Sequence, residues 1–299
     1  MDRLHLINVV VAVADASSFA GAARKLGLSP PAVTRAINEL ERSLGVRLLT
    51  RTTRVVRLTE AGARYVEDCR RILAELADAE ESARGAHGEP RGHLSVTAPV
   101  LFGALYVTPV LTEYLQVHTG VTASGLFLDR VINLVEEGVD VAVRIAELPD
   151  SSLQAIRVGQ VRRVICASPA YLVKHGTPGT PGDLKDHCLI SPGGVLPAGE
   201  WRLGRDGAAR PVRVEPRLVT TTNDAALGAA VGGFGITRLL SYQVAEPVRD
   251  GRLLILLREY EPEPVPVHVV HREGRNASRK VRAFLDLAID RLRGQLSLQ

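Results

Sequence analysis

The chain has 299 residues, 45% of them hydrophobic, and a formal net charge of +4. That length accommodates two domains of roughly 150 residues with ordinary cores, and the composition excludes a disordered chain as the default reading. The cysteines are Cys69, Cys166 and Cys188; an odd number without C-x-x-C spacing excludes a disulfide framework or a zinc site and fits a reducing compartment.

The start, "MDRLHLINVVVAVADASSFAGAA", has a basic residue before an apolar run, as a signal peptide would. Asn8 interrupts the run and Asp15 closes it, while Leu6, Val9, Val10 and Val13 recur at helix spacing, so a small amphipathic helix is expected. No stretch approaches the roughly 18 apolar residues of a membrane span, and a cytoplasmic protein with no membrane partner is expected.

"SSFAGAARKLGLS" reads as a short helix. Ser17 or Ser18 caps it, Ala22, Ala23 and Leu26 form its packing face, and Gly27 takes the left-handed position after its end. "LSPPAVTRAI" then places Pro30 and Pro31 ahead of an amphipathic run. Ser29 is a good cap and proline is tolerated in a first helical turn, so the prolines start a helix, with Pro31 discouraging Pro30 itself from regular helical geometry. At about 100° per residue, Val33, Ile37, Leu40 and Leu44 share one face, and Pro31, Thr34, Arg35, Asn38 and Arg42 the other. "VRLLTRTTRVVRLT" follows as a two-stranded hairpin lined by Arg51, Arg54 and Arg57.

Charge gathers on these elements. Between Ala20 and Arg64 stand nine basic residues against three acids, an excess of +6 that leaves −2 for the rest of the chain. A basic end on a near-neutral body indicates a polyanion partner for that end. The alternative is a small helical domain whose charged face is solvated, with Arg35 paired to Glu39. Helix, tight turn, helix with a polar face, then a basic hairpin favours major-groove reading with a wing on phosphates.

Residues 1 to about 60, above all "SFAGAARKLGLSPPAVTRAINELERSLGVRLLTRTTRVVRLTEAG", resemble the winged helix-turn-helix of LysR-type transcriptional regulators. The resemblance implies a helix-turn-helix unit over 19–38, within a DNA-binding domain at 1–59. Its implied DNA contacts are Ser29, Pro30, Pro31, Thr34, Arg35, Asn38, Arg51 and Arg54. The family usually carries Gln at the position of Pro30 and Phe at that of Leu49, so base contacts here fall mainly to Thr34, Arg35 and Asn38.

Thr59 caps a helix expected to run to about Arg84, with Tyr65, Cys69, Ile72, Leu76, Ala79 and Ala83 at alternating spacings of four and three. At 1.5 Å per residue it is roughly 40 Å long, more than a small winged domain needs. The stripe reads either as packing on its own domain or as a self-association seam. The family dimerises through this helix, which implies a linker and dimerisation helix at 59–86 and a homodimer or homotetramer. Cys69 reads as a small seam residue rather than a redox sensor. "RGAHGEPRG" is a hinge, since three glycines and a proline forbid a continuous helix.

Beyond the hinge, short apolar strands alternate with helical segments in the pattern of an open α/β sheet. "GVDVAVRIA", "VRRVICAS" and "PVPVHVVHRE" read as strands, "NDAALGAAVGGFGIT" as helix then strand, and "SRKVRAFLDLAIDRL" as an amphipathic helix with Val281, Phe284, Leu285, Ala288 and Leu292 inward. This part is similar to the family's effector-binding domain, built like a periplasmic binding protein. The resemblance implies an effector domain at 91–299, with lobe 1 at about 91–161 plus 267–299 and lobe 2 at about 162–266. Exposed N–H groups at helix starts hold small anions. The two starts visible here, with Thr97, Pro99 and Val100 in one and Thr222 and Asn223 in the other, are expected to bind a small-molecule effector, as is Arg144. The plain alternative is capping for Thr97 and Asn223 and an acid partner for Arg144.

The fold expected is therefore α/β: an N-terminal winged helix-turn-helix, a long linker helix, and a two-lobed effector domain. A two-lobed α/β enzyme with an accessory DNA-binding head is the competing class. The chain holds no G-x-S-x-G or H-E-x-x-H, and His268 and His271 are three apart in a strand, on opposite faces. No catalytic set, metal or cofactor is expected. A purely architectural DNA protein fits poorly with more than two hundred residues of apolar α/β sequence.

Overall fold

The computed structural model describes all residues except 1, 52–55, 84–88, 135, 150–152, 194–198, 206–209, 273–276 and 297–299. The chain forms two compact units, Met1–His87 and Gly88–Gln299.

In the first unit, α1 (Arg3–Ala16), α2 (Phe19–Leu26) and α3 (Pro30–Leu44) precede β1 (Leu49–Arg51), β2 (Val56–Leu58) and α4 (Glu60–Ala83). Val9, Val10, Val13, Ala22, Val33, Ile37 and Leu40 meet in one core. Ser17 ends α1 in the left-handed conformation, φ 46°, leaving Ser18 to cap α2 through a hydrogen bond from the Gly21 N–H, 3.2 Å. Gly27, at φ +65°, closes α2. Small Ala22 and Ala23 let α1 and α3 approach.

The second unit has two five-stranded sheets. The first orders β4 (Val121–Phe127), β3 (Gly92–Ala98), β5 (Val141–Ile145), β14 (Val265–His271) and β6 (Gln154–Val161). Here β3 runs parallel to β4 and β5, while β14 is antiparallel to β5 and β6. The second orders β11 (Leu218–Thr220), β8 (Leu189–Pro192), β12 (Ile236–Leu240), β7 (Arg163–Ala167) and β13 (Leu254–Leu256). A hairpin of β9 (Gly199–Leu203) and β10 (Arg210–Val214) accompanies it. The helices are α5 (Val100–Phe102), α6 (Thr108–Val117), α7 (Pro169–His175), α8 (Asn223–Val231), α9 (Ser241–Arg249) and α10 (Arg279–Leu296). Val281, Phe284, Leu285, Ala288 and Leu292 of α10 are all buried in the lobe 1 core.

Arg162 is the crossing between lobes. Its carbonyl accepts from the Ser241 N–H (2.8 Å), its own N–H donates to Ser241 Oγ (3.1 Å), and its guanidinium pairs with Glu261 (2.8 Å). The chain is back in the first sheet by Val265, which pairs with Val161, near the return expected at about 267.

A correction concerns 100–117, which is long and apolar enough to cross a membrane by length and composition, against the sequence expectation. In the fold, Phe102, Val107, Val110, Leu111 and Tyr114 of this run lie in the lobe 1 core, with a π-helical turn at Gly103–Val107 between α5 and α6.

Candidate DNA-reading face and effector cleft

Helix α3 starts at Pro30, not Pro31. Ser29 is extended at φ −78°, ψ 146°, and its Oγ accepts from the Ala32 N–H at 3.4 Å. Both prolines occupy first-turn positions whose N–H groups have no partner within a helix, so the missing donors cost nothing there. Val33, Ala36, Ile37 and Leu40 are fully buried, while Pro30, Pro31, Arg35 and Asn38 are exposed and Thr34 is partly so. Thr34, Arg35 and Asn38 thus stand together on the side of α3 away from the core. Ser29→Ala should lower stability in urea by about 1 kcal/mol through loss of the cap.

The end of α3 is tied to the hairpin. Glu41 Oε1 accepts from the N–H of Leu48 (2.8 Å) and of Leu49 (3.1 Å). β1 and β2 then pair antiparallel, with Thr50 opposite Arg57, and Arg57 is exposed. Only the backbone of Arg51 is described, and Arg54 lies outside the described residues. Thr59 closes the junction: its N–H donates to the Leu48 carbonyl (2.9 Å) and its Oγ1 accepts from the Gly62 N–H (2.9 Å), capping α4.

The stripe along α4 divides between the two readings open for it. Tyr65 packs against the core of the first unit and Cys69 is buried at 1% exposure, because this half of α4 lies on α1. Burial pushes the Cys69 thiol up, against a redox role. One and two turns on, Ile72 (44%) and Leu76 (37%) are exposed. The side chains of Ala79 and Ala83 lie outside the described residues.

In the second unit the two expected helix starts are joined by Asp129, which sequence reasoning missed. Its Oδ1 accepts from the Val100 N–H (3.0 Å) in lobe 1 and its Oδ2 from Asn223 Nδ2 (3.4 Å) in lobe 2. A carboxylate of the chain therefore stands where a bound anion was expected. Pro99 occupies the cap position of α5 without a side-chain bond. Thr222 caps α8, its Oγ1 accepting from the Ala225 N–H at 3.3 Å, so the capping role expected of Asn223 belongs to Thr222. Thr97 does not cap. It is buried and donates to the Leu126 carbonyl at 2.6 Å, bracing β3 to β4. Arg144 donates to the Ile132 carbonyl at 2.9 Å rather than to an acid, and burial lowers its pKa. Nearby, the Tyr242 phenol is driven up by burial, with the Asp129 and Asp224 carboxylates adding to the shift. Phe102 and Tyr106 stack at 4.7 Å, and Tyr242 meets both edge-on with centroids 5.3 and 6.0 Å away.

A basic helix-turn-helix head and a separate two-lobed α/β unit define a DNA-binding transcription regulator with a built-in ligand-sensing domain. Residues 4–63 match the bacterial regulatory helix-turn-helix protein, lysR family, and residues 87–293 match the LysR substrate binding domain. The chain is 33% identical over 294 residues to the HTH-type transcriptional regulator CrgA of Neisseria meningitidis serogroup C, covering 97% of each protein. The structure of CrgA, a LysR-type transcriptional regulator from Neisseria meningitidis, superposes with a TM-score of 0.61 at 32% identity, covering 96% of this chain and 98% of that one. The full-length Vibrio cholerae virulence activator AphB, a member of the same family, gives 0.62 at 26% identity, covering 97% of this chain and 99% of that one. The protein belongs to the LysR family of transcriptional regulators, as its sequence resemblance implied.

Proposed function

We propose that this regulator acts in the cytoplasm as a homodimer or homotetramer whose paired heads grip two half-sites of double-stranded DNA. In this reading residues 1–59 are the reading domain, 59–86 the linker and dimerisation helix, and 91–299 the effector domain. Ser29, Pro30, Pro31, Thr34, Arg35 and Asn38 meet the major groove, and Arg51 and Arg54 meet backbone phosphate. The observation that carries it is α3, with one face wholly buried and the other presenting these polar groups to solvent.

The effector binds around Thr97, Pro99, Val100, Arg144, Thr222 and Asn223. Val100 and Asn223, on different lobes, already share the Asp129 carboxylate, so a ligand competing for either group changes what holds the lobes together. Such a change alters the spacing of the heads and shifts operator occupancy. Footprinting of DNA upstream of the protein's own gene tests the reading: two spaced protected half-sites are expected, altered by some members of a metabolite panel that are not consumed.

Self-association through α4 rests on Ile72 and Leu76, whose exposed apolar side chains sit one turn apart beyond the part of α4 packed on α1. The double variant Ile72→Asp/Leu76→Asp should sediment as a monomer at micromolar concentration and protect one half-site weakly. A dimer of unchanged affinity would place the interface elsewhere.

A further inference from the structure

On lobe 2, Ile236 and Arg238 of β12 and Arg163 and Ile165 of β7 share one face of the sheet, opposite Val164, Cys166 and Leu239. Arg238 lies opposite Ile165 and Arg163 opposite Leu240, so the two arginines are diagonal neighbours across adjacent strands. Such positions are roughly 7–8 Å apart and within reach of long side chains.

Arg238 is partly buried, with its guanidinium carbon 5.3 Å from the centroid of the Trp201 ring, which is itself 3% exposed. Among the described residues neither guanidinium has an ion pair or a hydrogen bond to a side chain. Two acids of the returning segment are engaged elsewhere, Glu261 by Arg162 and Glu259 by Arg205. Burial, with Arg163 adding repulsion, draws the Arg238 pKa down to about 10. A partly buried guanidinium packed against an indole, with a like charge diagonal to it and no acid neutralising it, favours an anion that bridges the two arginines. The planar fork of arginine matches a carboxylate or a phosphate in two-point contact.

We propose that Arg163 and Arg238 form the seat for an anionic group of the effector, a carboxylate or phosphate oxyanion, on this face of lobe 2 next to the crossing at Arg162. The proposal rests on the reading of this unit as effector-binding. An anion held here sits on the first residue of β7 and near the end of β12, adjacent in sequence to the Arg162–Ser241 junction through which the lobes connect. It is therefore placed to bias that junction.

The test is thermal unfolding of the full-length protein titrated with sodium acetate and, separately, with inorganic phosphate, each against sodium chloride at matched ionic strength. A saturable rise in Tm over chloride is expected, and the salt that produces it identifies the oxyanion. Arg238→Met should weaken that anion's binding by about tenfold or more. The same variant should leave the anion-free Tm unchanged or higher, because an apolar side chain replaces an unneutralised, partly buried charge. If Arg238→Met does not fold, Arg163→Met, at an exposed position, carries the same comparison.

No saturable rise with either salt, or a rise that persists in both variants, overturns the seat. Operator binding with and without the responding anion separates the two levels. Anion binding that Arg238→Met abolishes, with no change in operator occupancy at any anion concentration, keeps the seat and overturns its assignment to the effector.

Discussion

Arg35→Ala is expected to weaken operator binding by about 5- to 150-fold and to relax base preference at one position of each half-site. Arg35 is exposed in the second turn of α3, on the side opposite Val33, Ile37 and Leu40. Its guanidinium can make a two-point contact to a guanine edge that no neighbour replaces, because the preceding turn carries Pro30 and Pro31 in place of hydrogen-bonding side chains. In the proposed reading Thr34 and Asn38 complete a short contact set. Arg57, exposed on the hairpin, provides the contrast. Arg57→Ala should weaken specific and unrelated DNA by similar factors and lower the salt slope by about one. Both variants should unfold at the parent's urea concentration, since neither side chain packs in the core. Arg35→Ala binding operator like the parent across salt concentrations would mean that another surface reads the DNA.

The N-terminal elements were legible because their signals are local. Ser18 and Gly27 bracket α2, Ser29 and the prolines start α3, and the apolar period from Val33 to Leu40 marks the buried face, all within a few residues. Periodicity alone does not say which neighbour covers a face. The stripe on α4 therefore left own-domain packing and self-association both open, and it divides between them: Cys69 faces α1 and Ile72 faces outward. The second unit hid more, because its decisive contacts join distant segments. Asp129 meets Asn223 across 94 positions, and Thr97 gives its hydroxyl to Leu126, 29 positions away, so a cap and a free ligand group both looked reasonable there. Arg163 and Arg238 become neighbours only through the antiparallel pairing of β7 with β12, 75 residues apart. The spacing of neither arginine carries that signal.

Gly62→Ala should cost about 3 kcal/mol or more in urea unfolding of the N-terminal unit, and with it most DNA affinity. A Cβ at Gly62 would stand 1.9 Å from the Leu48 carbonyl oxygen and 2.7 Å from its carbon, so backbone has to move. Leu48 is not free to yield. Its N–H is held by Glu41 from α3, and its carbonyl accepts from the Thr59 N–H that sets the start of α4. Displacing it pulls at once on the end of α3, the first strand of the hairpin and the cap of the linker helix. The loss should therefore appear in operator binding as well as in stability, although Gly62 touches no DNA in this reading. Gly228→Ala is the matched control: the position is inside α8, nothing lies within 4 Å of the added carbon, and a small gain of up to about 1 kcal/mol is expected. Equal stability and operator affinity for Gly62→Ala and the parent would show that the junction of α3, hairpin and α4 is not held by this contact. A loss confined to Gly62→Ala ties the placement of the wing to a single close backbone approach at the start of α4.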